Sequence, residues 1–187
     1  MRSHLALAAC VCALATAVPA SAEPLHPTHD DQTVERLPND GAREGERELR
    51  RQWAADRSDP ALAAALARRY LERAQELGDP RFAGRALSVL AAWPDAATAP
   101  IEVLLLRATL QQHLHAFDAA IANLQALVRR QPRHAQAWLT LATVQRVQGR
   151  YGASDAACRG VAASGAALHA QACLAENAGL RGEVERA

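Results

Sequence analysis

The chain has 187 residues, and its 21 basic side chains, all arginine, face 20 carboxylates for a formal net charge of +1. That balance excludes the electrostatic footprint of a nucleic-acid binder. Abundant Ala and Arg with no Lys fit a genome of high GC content better than a set of phosphate contacts.

Met1 to His4 form a short positive start, Leu5 to Val18 is an apolar or small run, and Pro19-Ala20-Ser21-Ala22 supplies a small-x-small pattern before Glu23. This reads as a secretory signal cut after Ala22, because 14 apolar residues fall short of the roughly 20 that span a bilayer. Leu7-Ala8-Ala9-Cys10 resembles a lipoprotein box, but cutting there would leave too short an apolar segment, so Cys10 and Cys12 go with the discarded peptide. The remaining 165 residues carry no net formal charge, suit one domain with a core, and contain no further apolar stretch long enough to cross a membrane.

From Glu23 to about Gly45 the chain is polar, with Pro24, Pro27, Pro38 and Gly41 breaking any helix, and reads as a flexible leader. Residues 42–57 have mixed charges and place Leu49 and Trp53 four apart, which predicts a short amphipathic helix. Asp59-Pro60 opens a helix that runs to about Leu77. Gly78-Asp79-Pro80 stops it and starts another, which reaches Trp93-Pro94. After Pro100, helices are predicted over 101–114 and 118–130, then over 135–148 and 154–163. No segment alternates with period two, so the fold class is all-α with no sheet.

A 34-residue period pairs Leu105 with Leu139, Ala108 with Ala142, Thr109 with Thr143, Gln111 with Gln145, Phe117 with Tyr151 and Ala119 with Ala153. A period of that length predicts a right-handed solenoid of antiparallel helix hairpins. Trp138, Leu141, Ala142, Gly149, Tyr151, Ser154 and Val161, with Leu104, Ala108, Phe117, Ala120, Leu127 and Pro132 in the same register, resemble the tetratricopeptide repeat family. The resemblance is carried by residues 101–167 and extends more weakly over 60–100. Gln111 and Gln145 depart from it where that family usually has an aromatic, and His115 stands in place of the turn glycine. Leu168 begins an incomplete fourth repeat, in which Leu174, Ala175, Gly182 and Ala187 follow Leu141, Ala142, Gly149 and Ser154 at an offset of 33.

Cys158 and Cys173 remain after signal cleavage, on helices expected to pack together. They either form a bridge closing a loop of 15 residues or pack as two small buried thiols. His26 and His29 lie in the Pro-rich leader, and His113 and His115 near a helix end. Neither pair has a zinc-ligand spacing, so no metal site is assigned. Glycine-rich phosphate loops, nucleophile elbows and paired zinc-ligand motifs are all missing, so no catalytic residue and no cofactor are expected.

In the resembled family the first helix of each hairpin lines a concave groove that holds extended peptides. The resemblance therefore implies a groove formed by Glu102, Leu105, Thr109, Gln112, His113, Gln136, Leu139, Thr143, Arg146, His169 and Glu176. The set lacks the Lys and Asn cluster of a carboxylate clamp, which argues against binding of chaperone tails. The expectation is an exported, periplasmic, non-enzymatic scaffold for a protein or peptide partner. Two alternatives stand beside it: a permanent subunit of an envelope assembly or secretion machine, and a truncated piece of a longer repeat protein.

Overall fold

A computed structural model describes residues 27–29, 31–32 and 41–183, excepting the side chains of 41–43. The signal segment, His26 and most of the leader lie outside the described residues. The chain divides into two units, 1–39 and 40–187. In the first, Gln32 Oε1 accepts from the Thr28 backbone N–H at 2.7 Å and from its hydroxyl at 3.1 Å.

The second unit contains eight helices among its described residues and no strand: α1 Gly41–Ala55, α2 Pro60–Leu77, α3 Pro80–Leu90, α4 Ile101–His113, α5 Phe117–Arg130, α6 Ala135–Val147, α7 Tyr151–Ala163 and α8 Ala167–Leu180. The polar punctuation in the sequence fixes several ends. Asp59 accepts from the N–H groups of Ala61 and Leu62 at 2.7 and 3.2 Å, satisfying donors that the first turn of α2 cannot pair. Gly78 ends that helix at φ 62°, a left-handed conformation that costs glycine little. α5 and α7 begin earlier than expected, at Phe117 and Tyr151, because each aromatic already occupies the first helical position after a left-handed turn at His115 or Gly149.

α2 pairs with α3, α4 with α5, and α6 with α7, while α8 packs on α7. Consecutive first helices also touch, α2 with α4, α4 with α6 and α6 with α8, and no more distant pair does so among the described residues. Such nearest-neighbour stacking is the physics of a repeat array, in which each hairpin buries its apolar surface only against the next. α4 shows this most clearly. Val103, Leu106 and Leu110 join the core of α2 and α3, whereas Leu104 and Ala108 join the core built from α5, α6 and α7. A helix apolar on two sides is the expected result of packing between two neighbours.

Polar contacts hold the joints. Arg107, 9% exposed, reaches over the end of α3 and donates to the carbonyls of Leu90 at 3.0 Å, Pro94 at 3.5 Å and also Trp93. It thereby satisfies carbonyls that have no partner within the helix. Burial pushes the pKa of this guanidinium below its ordinary value, and the negative end of α3 compensates the charge. Arg130 ties the last turn of α5 to Ala96 O at 2.9 Å and Ala99 O at 2.6 Å. On α1, the buried Glu46 pairs with Arg73 of α2 at 3.3 Å, and Arg73 and Arg85 both stack on Phe82, 4.9 and 5.0 Å from the ring centre.

Candidate functional site

The face formed by the first helices α2, α4, α6 and α8 carries the residues that the repeat register assigns to a groove. All of them are at least partly accessible: Glu102, Gln136, His169 and Glu176 are exposed, and Leu105, Thr109, Gln112, His113, Leu139, Thr143 and Arg146 are half-buried. Thr109 Oγ1 donates to Leu105 O and Thr143 Oγ1 to Leu139 O, each at 3.0 Å. Bonding back to the preceding turn satisfies each hydroxyl locally and leaves its methyl group as apolar surface beside the leucine. Gln136 Nε2 donates to Thr140 Oγ1 at 3.3 Å.

The charged members of the set are paired across helices. Glu102 of α4 forms an ion pair with Arg68 of α2, and Arg146 of α6 forms one with Glu176 of α8 at 2.6 Å. Exposed pairs of this kind add little stability, but they neutralise the two ends of the face. Its middle, between α4 and α6, is left with Leu105, Thr109, Leu139 and Thr143. The sequence reading did not include Arg68, although the signal was present: Arg68 precedes Glu102 by 34 residues, one repeat length.

A second feature was also not anticipated. Leu77, Val147 and Leu180 are exposed at 57%, 59% and 55%, and each is the last residue of a first helix, α2, α6 and α8 respectively. His113 ends α4 at the corresponding place. Together they place an apolar residue at the C-terminal end of three of the four first helices. The offset of 33 from Val147 to Leu180, the offset of the fourth repeat itself, was the available signal.

The two cysteines meet. Cys158 of α7 and Cys173 of α8 form a disulfide with Cα atoms 5.8 Å apart, across the interface predicted for them. Beside it, Asn177 Nδ2 donates to Ser154 Oγ and to Asp155 Oδ1, both at 2.8 Å, and Ser154 Oγ donates to Ala142 O at 2.9 Å. Asn177 is fully buried where the two preceding hairpins place Leu110 and Val144. Among the described residues, no group of three His, Cys, Asp or Glu side chains is arranged to hold a metal ion, and no helix is long and apolar enough to cross a membrane.

No family model matches the sequence, and no curated protein matches it either. Solved structures do resemble the fold. The crystal structure of MamA is 16% identical, with a TM-score of 0.63, over 78% of this chain and 81% of that one. A tetratricopeptide repeat protein from Parabacteroides merdae ATCC 43184 is 17% identical, with a TM-score of 0.62, over 78% of this chain and 56% of the other. At these identities the likeness concerns the fold. The chain thus has a tetratricopeptide-like helical repeat architecture, as the 34-residue period implies.

Proposed function

We propose that this chain is an exported scaffold or adaptor that holds an extended protein segment along the face of its first helices. The observation carrying this reading is the neutral middle of that face: Glu102 and Arg146 are each neutralised by a neighbouring helix, while Leu105, Thr109, Leu139 and Thr143 stay accessible. A surface of this kind favours an uncharged or mixed segment with small apolar side chains and gives little hold to a strongly charged one. The disulfide supports an oxidising compartment such as the periplasm, where such bonds persist. The role requires no cofactor and no catalytic group.

The test is affinity co-purification of the chain from an envelope fraction, run beside a Leu105→Glu, Leu139→Glu variant whose folding is verified by circular dichroism. A protein retained by the wild type and lost by the folded variant supports the reading. Equal recovery by both overturns it. A second reading, a permanent subunit of an envelope assembly, is favoured by Leu168 and Leu180 of α8, which are 76% and 55% exposed. It predicts a complex that survives size-exclusion chromatography and is insensitive to the same two substitutions.

A further inference from the structure

Two grooves of the array are built alike but charged differently. α1 packs on α2 as α7 packs on α8, so α1 stands in the place of a second helix. The groove at α1 is lined by Glu46, Arg47 and Arg50 of α1, Arg73 of α2, and Phe82 and Arg85 of α3, around a cavity of about 210 Å³. Four guanidiniums there face one carboxylate. The groove at the α7–α8 joint is balanced instead: Arg159 and Arg181 stand with Asp155 and Glu183, and Arg181 pairs with Asp155 at 3.0 Å and with Glu183 at 2.8 Å. The surplus of arginine at α1 is therefore local and not a general property of an arginine-rich surface. Arg73 lies about 140° round α2 from Arg68, so this groove is separate from the face of the first helices.

We infer that this groove binds a compact oxyanion with at least two negative charges, the phosphate or sulfate group of a small soluble molecule. Its arginines are held in place before any ligand arrives. The buried Glu46 accepts from Arg73 Nη1 at 3.3 Å and lies 3.9 Å from Arg50 Nε, while the Phe82 ring carries the guanidiniums of Arg73 and Arg85 at 4.9 and 5.0 Å from its centre. Three of the four guanidiniums are thus positioned by two fixed groups, which lowers the ordering cost of binding. Neighbouring carboxylates leave the surplus standing. Glu48 is held by Arg51, Glu72 by Arg69 at 2.9 Å and Asp79 by Arg81 at 2.7 Å, and the exposed Glu44 and Glu76 do not line the groove. Like charges gathered in a cleft repel one another and concentrate their field, and a bound anion relieves both effects. Guanidinium forks match phosphate and sulfate oxygens in pairs. The cavity is smaller than the roughly 300–1,000 Å³ of drug-sized sites, which limits the ligand to a compact group, and an excess of three positive charges is met better by a dianion than by one carboxylate.

The test titrates the ¹⁵N-labelled chain with inorganic phosphate and sulfate, and with acetate as the monoanion. Phosphate and sulfate are expected to shift the backbone resonances of Glu46, Arg73, Phe82 and Arg85 in a saturable way, at least about tenfold more tightly than acetate, the factor one further charge-assisted hydrogen bond supplies. Added sodium chloride should weaken them, because the groove is open to screening. Arg85→Gln should weaken sulfate about tenfold or more, by the same reasoning. Arg47→Gln serves as a second variant should the first not fold, since Arg47 is exposed and forms no ion pair among the described residues. Arg159→Gln, in the balanced groove, should leave sulfate affinity unchanged. The proposal is overturned if neither dianion gives a saturable shift, if acetate binds as tightly, if the folded Arg47→Gln and Arg85→Gln variants bind sulfate as the wild type does, or if Arg159→Gln weakens it equally. Two further probes separate the sources: co-sedimentation with phosphatidic acid vesicles that Arg85→Gln abolishes, or a hexaglutamate peptide binding more tightly than sulfate, would overturn the small-molecule assignment in favour of a lipid surface or an acidic peptide.

Discussion

Replacing Gly160 with Ala tests the packing of the third hairpin most directly. Gly160 lies inside α7, and a Cβ built there would sit 2.4, 2.6 and 2.7 Å from Cδ2, Cε3 and Cε2 of Trp138. The ring has little freedom to retreat, because its Nε1 donates to Pro132 O at 2.8 Å. Overpacking of a fitted site costs about 1–3 kcal/mol, and three ring contacts this short put Gly160 at the upper end. Loss of the Trp138 hydrogen bond adds about 1 kcal/mol. Against this, Ala is the better helix former by about 1 kcal/mol. The expected net is a loss of about 2–3 kcal/mol, which for a domain of this size lowers the melting temperature by roughly 5–10 °C. Gly84, in the middle of α3 with nothing within 4 Å of its added Cβ, is the control. There the same substitution should raise the melting temperature by about 2–4 °C. Circular dichroism melts of both variants decide the matter, and a Trp138→Ala background should turn the Gly160→Ala loss into a gain. If Gly160→Ala melts at or above the wild type, the account of the α6–α7 contact is refuted.

Other outcomes follow from individual sites. His115 sits at φ 59° where the next repeat has Gly149 at φ 69°; His115→Gly should therefore stabilise by up to about 1 kcal/mol. The edge contact with Phe117 lost in that variant subtracts part of the gain, and Gly149→Ala should destabilise by about 1 kcal/mol. Urea midpoints measure both, and a His115→Gly midpoint below the wild type would contradict the reasoning. Reducing the bridge that spans 15 residues should cost about 3 kcal/mol, and amide exchange should then accelerate first in α8; uniform acceleration would show that α8 does not open alone. The Asp79 carboxyl is held below the usual range by the Arg81 side chain first and its backbone N–H second. The unfolded chain therefore binds that proton more readily, so the stabilisation is present above about pH 4 and is lost as pH falls through the lowered native value. Asp79→Asn, which keeps an N-cap, should reduce the slope of stability against pH in that range without abolishing it, since Asp56 and Glu48 are lowered as well; an unchanged slope would remove Asp79 from the account.

Much of the helix pattern was legible because its signals are local. Asp59-Pro60, Gly78-Asp79-Pro80 and Gly149 act through their own backbone geometry, and the repeat register followed from matched pairs such as Ala108 with Ala142. The replacement of a turn glycine by His115 was visible from that register as well, and the positive φ it entails is present. The contacts made at a distance were not legible. Nothing local marks Arg107 as the residue that closes the end of α3, because its role depends on where another hairpin's carbonyls lie. Leu77 is hidden for a similar reason: it precedes His113, the equivalent end of α4, by 36 residues rather than 34, so the end of α2 falls out of register with the other first helices, whereas Arg68 keeps the 34-residue offset to Glu102 but lies outside the residues that carry the resemblance most clearly. Gln145 departs visibly from the repeat pattern, but its unpaired Oε1 depends on Ala157 standing where the preceding repeat has Asn123, which donates to Gln111.

The polar joints also explain how such a uniform chain selects one stacking. Ala and Leu faces on successive hairpins are alike, and an apolar face alone tolerates sliding by a turn, since burial is non-directional. Arg107 on the end of α3, Arg130 on Ala96 and Ala99, and Asn177 on Ser154 and Asp155 are directional, and each is satisfied in one alignment of its helix pair. Asn177 is the most exacting, because slipping α8 by one turn would leave a fully buried amide unpaired, and buried polar groups without partners are costly. The disulfide then fixes covalently the alignment that Asn177 selects. Register at the α7–α8 joint is therefore set twice, and the accessible face of the first helices inherits its continuity through α8 from that joint.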